Sequence, residues 1–514
     1  MARPVSLISG SIFGVKAFAV EVEIDIKRGL PLFNVVGLPD RALKESRERV
    51  RSALKNCNFS YPDRRITINL APAHRRKEGP QFDLPIALGI LASEGLLPAS
   101  GLEGCFIAGE LALTGEIRPV QGLLPLLQLA AGEGCSKFIF PAASRDELAF
   151  AVDMELLPVE NLQEAVEVLG EPSGRSGKIW KPEAALSGDG MEGEKGEGGK
   201  GERELPPLQG QHSARRAAAI AAAGYHNLLL FGPPGSGKTT IARTIPLMMP
   251  PLSAEEKKEV MMIASAAGET VSGRRPWRDP HHSITAAGLG GGGSSPRPGE
   301  VTLAHRGVLF LDELPEFKSG VLELLRQPLQ DGYIHLVRHG YNIKLPADFM
   351  MVAALNPCPC GYLGQGEGSC RCTPAGISRY RSRLSGPFLD RIDLQVEVPA
   401  LSTEDIIYRR HENTTERELR SAVKTAWQKQ RERNGGVYNS GLNGRKLQEI
   451  CSIGENEKNF LSRALESLGI SRRGYDTVLR LARTIADLAG EKEIGEDHLA
   501  EAINYRDFDR NLKF

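Results

Sequence analysis

The strongest constraint on this chain is the octapeptide Gly232-Pro233-Pro234-Gly235-Ser236-Gly237-Lys238-Thr239, set between the apolar run Leu228 to Phe231 and a segment of helical pattern. It fits G-x-x-x-x-G-K-[ST] in the strand, loop, helix order that gives the motif meaning. Glycines let successive backbone amides converge on phosphate oxygens at a helix N-terminus. Lys238 supplies a point charge to the β and γ phosphates of ATP, Thr239 offers its hydroxyl to Mg2+, and Thr240 completes the binding segment.

Such a loop requires partners at the ends of neighbouring strands. Val308-Leu309-Phe310-Leu311 reads as a buried strand that delivers Asp312 and Glu313 at its carboxyl edge. Asp312 is the expected magnesium ligand and Glu313 the group that orients and polarises the attacking water. A third apolar run, Phe349 to Leu355, ends at Asn356, which could contact the γ phosphate or the lytic water, or simply turn the chain before Pro357. Loop and acid pair together point to ATP hydrolysis rather than nucleotide binding alone.

The 514 residues exceed a typical domain of about 150 roughly threefold, so several domains are expected. Val20, Val22, Ile24 and Ile26 alternate with charged residues as in a half-buried strand, opening an α/β domain over 1–170. Residues 171–207 are rich in Gly, Glu and Lys and nearly free of large apolar side chains, the composition of a flexible linker. The nucleotide core is expected over 208–400 and a helical region over 401–514. Lys plus Arg and Asp plus Glu each number 64, so any attraction to nucleic acid must be local. No uncharged apolar run reaches the roughly 18 residues a membrane span needs, and no signal-peptide pattern opens the chain, so a cytoplasmic protein without a membrane partner is expected.

Four of the eight cysteines, Cys358, Cys360, Cys370 and Cys372, fall in a C-x-C-x9-C-x-C pattern. In a reducing compartment that spacing suits a closed, structural tetrathiolate zinc site, with four ordinary reduced thiols as the alternative. Tyr333 to Val337 and Tyr341 to Leu345 flank Arg338, His339 and Gly340, a hairpin with a basic tip; Arg338, His339 and Lys344 are candidate phosphate contacts. A Gly-rich insertion over 274–306 carries Arg278, Arg297, His281 and His282; its basic and aromatic residues could follow a single strand by charge and stacking.

The loop at Gly232, the pair Asp312-Glu313, Asn356-Pro357-Cys358-Pro359-Cys360-Gly361, Arg297-Pro298-Gly299-Glu300 and Gly386-Pro387-Phe388-Leu389-Asp390-Arg391-Ile392-Asp393 together resemble the magnesium-chelatase-like AAA+ ATPases, and among them the competence-associated ComM/YifB family. The resemblance spans everything but the linker. It implies a Lon-protease-like N-terminal α/β domain, a P-loop parallel-sheet core and a C-terminal helical lid. It makes Arg391 the arginine finger reaching a neighbouring subunit's ATP, although an ion pair with Asp390 or Asp393 is also open, and Arg473 or its neighbour Arg472 the second sensor. The segment Gln209 to Gln211 would lie beside the nucleotide base. In the N-terminal domain the Lon nucleophile falls at Gln81 and its lysine near Leu124, neither able to do that chemistry, so no peptidase activity is expected; Arg64, Arg65, Arg75, Arg76 and Lys77 form a basic surface there. The implied function is a hexameric DNA motor acting in branch migration during homologous recombination and natural transformation, with recombination proteins as partners. The alternative is a protein-remodelling motor like the magnesium-chelatase ATPase subunit.

Overall fold

The computed structural model describes residues 4–148, 154–170, 179–180, 211–338, 340–364, 369–400, 416–468 and 471–506. The chain forms two compact units. One holds the N-terminal region through Glu194 together with Ala254–Gly273 and Gly292–Pro298, and the other holds the remainder.

In the first unit the alternating pattern becomes a seven-stranded mixed sheet in the order 32–36, 65–71, 16–27, 5–13, 105–107, 137–141, 155–159. Val20, Val22 and Ile24 point into its core and meet Ile66, Ile68 and Leu70 from the neighbouring strand. The helix Arg41–Asn56 starts at Asp40, whose carboxylate accepts from the Leu43 amide at 2.9 Å and from the Gly79 amide at 3.1 Å. A short hairpin sets Leu111 opposite Ile117 around a turn in which Gly115 has φ 91°.

Two segments depart from the sequence reading. The helix Ala254–Ala267, within the stretch assigned to the nucleotide core, belongs to the first unit. There Met261 joins the apolar cluster of Leu123, Leu124 and Leu127, and the Ser265 hydroxyl accepts from the Leu124 amide at 3.1 Å. Trp180, within the stretch read as linker, donates its amide to the Leu156 carbonyl at 2.9 Å and sets its ring edge-on to Phe140. In both cases a few large apolar side chains suffice to dock a segment that its polar surroundings label as something else. The rest of the linker lies outside the described residues.

The second unit is built on a five-stranded sheet in the order 277–278, 308–311, 350–355, 228–231, 394–397, parallel throughout. Its three central strands are buried at every residue, as continuous apolar runs between two helical layers must be. The Ala-rich helix His212–Gly224 packs closely on this core because most of its side chains are methyl groups.

The C-terminal helices Glu416–Asn434, Gly444–Ile450, Glu455–Leu468, Arg472–Ala489 and Glu496–Asn504 belong to the same unit. They enclose a polar knot around buried Asp487. Its carboxylate accepts from Arg433 at 2.7 and 2.8 Å, from Arg483 at 3.2 Å and from Asn439 at 2.9 Å. Removing one partner of a buried charge network leaves the others uncompensated. Asp487→Ala is therefore expected to cost about 3–5 kcal/mol in this unit. Denaturant-dependent hydrogen exchange across Arg472–Ala489 measures the loss.

Candidate functional site

The parallel register brings Phe231, Leu311 and Leu355 to one sheet edge, so the next residues, Gly232, Asp312 and Asn356, emerge side by side. Gly232 has no room for a side chain: a Cβ there would lie 2.0 Å from the Val398 carbonyl oxygen. Gly235 and Gly237 hold the left-handed φ values 76° and 90° that bend the loop into the helix Lys238–Met248. Buried Lys238 donates to the carbonyls of Gly232 and Pro233, both at 2.7 Å, and to Asn356 Oδ1 at 3.3 Å. Burial lowers its pKa, and the charges of Asp312 and Glu313 oppose that shift. Thus three elements predicted separately meet at one ammonium.

The Thr239 hydroxyl donates to Asp312 Oδ2 at 3.2 Å, which places the two expected magnesium ligands face to face. The other Asp312 oxygen accepts from the Glu313 amide at 2.9 Å. Glu313 itself sits at φ 51°, a left-handed conformation unusual for a glutamate and frequent at reacting centres. Gln211, just before the helix His212–Gly224, donates to the carbonyls of Ser236 at 3.4 Å and Pro399 at 2.6 Å, on the flank of the phosphate loop. Gln209 lies outside the described residues.

Sequence reasoning missed two side chains here. His282 Nδ1 lies 3.6 Å from Glu313 Oε2, and the half-buried imidazole lies tilted against His281, ring centroids 4.0 Å apart, and meets Phe317 edge-on. Asp279 stands near Asp312, and burial first, then the Asp312 charge, raises its pKa; Arg243 lies 3.9 Å away. The Asp279-Pro280-His281-His282 run was the available signal, but only the fold brings it to the acid pair.

Arg391 occupies a different region. It donates to the Pro387 carbonyl and to Gln330 Oε1 at 3.2 Å, and it shares a cavity of about 370 Å³ with Arg473, Arg480, Asp390 and Asp476. No phosphate-loop residue lines this cavity. Burial lowers the Arg391 pKa, as do the nearby charges of Arg473 and Arg326. Asp393, one of the ion-pair partners considered from sequence, is instead engaged by the Asn227 amide at 3.1 Å and by His226 at 3.4 Å. Asn227 also donates to the Arg391 carbonyl at 3.0 Å, fixing the start of the segment. Arg473 lines the cavity, whereas Arg472 turns to Asp476 at 3.6 Å and lies over the Tyr475 ring.

The four clustered cysteines converge. Their Sγ atoms all lie within 4.8 Å of one another, with Cys358 3.3 Å from Cys360 and Cys370 3.7 Å from each. A tetrahedral tetrathiolate with bonds near 2.3 Å has sulfur edges of about 3.8 Å, so the donor set fits zinc.

The nucleic-acid candidates fare unequally. Strands Tyr333–Arg338 and Tyr341–Pro346 form the expected antiparallel hairpin, with Arg338 and Lys344 exposed and the Lys344 ammonium 3.4 Å from the Tyr333 ring centroid. His339 lies outside the described residues. Arg278 is held by both oxygens of Glu300, at 2.6 and 2.9 Å, which neutralises the charge assigned to phosphate; Arg297 is exposed and belongs to the first unit. Lys77, counted in the N-terminal basic surface, is fully buried and donates to the Gly37 carbonyl at 3.0 Å and to that of Pro72, so it cannot reach a nucleic acid. Gln81 is buried and donates to the carbonyls of Gly10 at 3.2 Å and Glu78 at 2.8 Å, while Leu124 sits in the apolar core. Neither position carries a nucleophile or a base.

Glu313→Gln is expected to lower kcat for ATP about 100-fold or more with nucleotide affinity retained, as loss of a water-polarising carboxylate does. His282→Ala, which removes only the neighbour of Glu313, is expected to lower kcat by roughly 10-fold without changing nucleotide affinity. Steady-state turnover with parallel nucleotide titration checks both.

Comparison with known proteins agrees with this architecture. Family models described as "Magnesium chelatase, subunit ChlI", "Subunit ChlI of Mg-chelatase" and "Magnesium chelatase, subunit ChlI C-terminal" match residues 204–406, 22–144 and 413–506. Competence protein ComM of Haemophilus influenzae is 41% identical over 98% of both chains, and YifB of Escherichia coli is 39% identical over 97% of this chain and 96% of its own. The magnesium-chelatase 38 kDa subunit of Rhodobacter capsulatus is 30% identical over 39% of this chain and 51% of its own. Matched over nearly their whole length by ComM and YifB, with the phosphate loop, the acid pair and Asn356 at one sheet edge, the chain belongs to the ComM/YifB family of magnesium-chelatase-like AAA+ ATPases.

Proposed function

We propose that this ATPase is a ring-forming motor, a hexamer, that moves DNA and drives branch migration during homologous recombination and natural transformation. The observation that carries the assembly is the distance of Arg391 from the phosphate loop of its own chain. Lys238, Thr239, Asp312, Glu313 and Asn356 gather at the phosphate loop, while Arg391 and Arg473 line a cavity without any loop residue. Asp390, Asp393 and Asp476 line the same cavity, but the Arg473 charge still disfavours that of Arg391, so a further anion between the two guanidiniums is favourable. A neighbouring subunit's nucleotide supplies one, and turnover then depends on assembly.

Within one subunit, Lys238 holds the β and γ phosphates, and Glu313 orients the attacking water while His282 holds Glu313 in place. Asn356 links the lysine to the end of the sensor strand. Thr239 and Asp312 would hold Mg2+, which neutralises charge on the phosphate oxygens when bound. The DNA reading rests on the exposed hairpin with Arg338 and Lys344, and on the end-to-end match to a protein named for competence.

The test is ATP turnover with no DNA, single strands, duplex and a four-way junction. Stimulation by DNA is expected, and turnover indifferent to all three would overturn the DNA reading. Arg391→Ala is expected to abolish turnover alone while keeping nucleotide affinity. Mixing it with Lys238→Ala should restore part of the activity, because each variant supplies what the other lacks. Replacing Arg338 and Lys344 by Ala should weaken DNA binding uniformly across sequences and flatten its salt dependence by about one unit for each phosphate no longer neutralised.

A further inference from the structure

We infer that Cys358, Cys360, Cys370 and Cys372 bind one zinc ion and that this ion sets the position of Asn356, so that metal occupancy controls the rate of ATP hydrolysis. The inference rests on the ATPase reading and not on the DNA reading. The tetrathiolate geometry is given above; its connections decide what the ion does.

Cys358 is fully buried and follows Asn356 by two residues, with the rigid Pro357 between them. The turn after Cys360 rests on the phosphate loop: a Cβ on Gly361, at φ 83°, would come within 2.7 Å of Pro234 Cδ. The first thiolate pair therefore has Asn356 on one side and the loop on the other.

The second pair anchors a different element. Cys372 precedes the helix Pro374–Arg381, whose N-cap is Thr373. Near the end of this helix Arg381 returns to donate to the Pro357 carbonyl at 3.2 Å, and the buried Tyr380 phenol faces the Asn356 backbone. Zinc would bond both ends of this closed circuit: Asn356 to Cys358, across the ion to Cys370 and Cys372, along the helix and back through Tyr380 and Arg381. Asn356 Oδ1 accepts from Lys238 at 3.3 Å, and the bound ion would hold it there. Without it, the link between strand end and helix rests on a few hydrogen bonds. Outlying groups that orient a reacting site commonly control activity by about 10–100-fold.

The experiment uses the full chain. Elemental analysis of purified protein is expected to find one zinc per chain, and cobalt exchanged into the site should give the intense thiolate charge-transfer and tetrahedral d–d bands of a tetrathiolate. Cys370→Ser with Cys372→Ser should lose the metal and lower kcat by about 10-fold, while affinity for a non-hydrolysable ATP analogue changes less than about twofold. Chelation of the unaltered protein followed by return of zinc should lower and then restore kcat, which separates loss of the ion from a variant that folds poorly. Protein without bound metal, or zinc removal that leaves kcat unchanged, would overturn the inference. If the unaltered chain hydrolysed no ATP, the ATPase reading would fail, while metal content and cobalt spectrum would still decide the binding site.

Discussion

Parallel pairing of three buried strands is the constraint on which the rest of this structure depends. Leu228–Phe231, Val308–Leu311 and Met350–Leu355 are hydrogen-bonded in register and apolar throughout, so none can slide without exposing its neighbours. Because they run the same way, their polar successors all emerge at one edge. The ammonium of Lys238, the Asp312 carboxylate and the Asn356 amide are neighbours for that reason, although 118 residues separate the first from the last.

The same sheet also keeps Arg391 away from the phosphate loop. Acids collect around Asp312, where Glu313 and Asp279 add to the negative field and Lys238 and Arg243 partly offset it. Around Arg391 the charge is mixed, Arg473 and Arg480 standing beside Asp390, Asp393 and Asp476, and the Arg391 backbone is tied through Asn227 to the start of one central strand and to Met351 on another.

Much of the fold was legible because local patterns coincided with tertiary outcome. The phosphate loop, the acid pair and the hairpin each rest on residues adjacent in sequence, and the fold realises them where the pattern placed them. The Asp40 cap is likewise a contact over three residues. Legibility failed where the decisive contact was distant. Nothing local reveals that Lys77 would be swallowed by the carbonyls of Gly37 and Pro72, or that Arg278 would give its charge to Glu300. The helix Ala254–Ala267 has its charges in the first half and its apolar residues in the second, a pattern that does not say which core it joins.

By itself the sequence determined the chemistry available: a phosphate-binding loop, two acids after an apolar strand, four clustered thiols and an exposed basic hairpin. These follow from short-range spacing, since backbone geometry within a few residues is set by glycines, apolar runs and caps. Only the tertiary structure decided that His282 faces Glu313, that Arg473 rather than Arg472 joins Arg391, and that the turn after the first thiol pair packs on the phosphate loop. Those are choices among partners far apart in the chain, and they are made by the packing of a whole core, in which each side chain's place depends on what the others already fill.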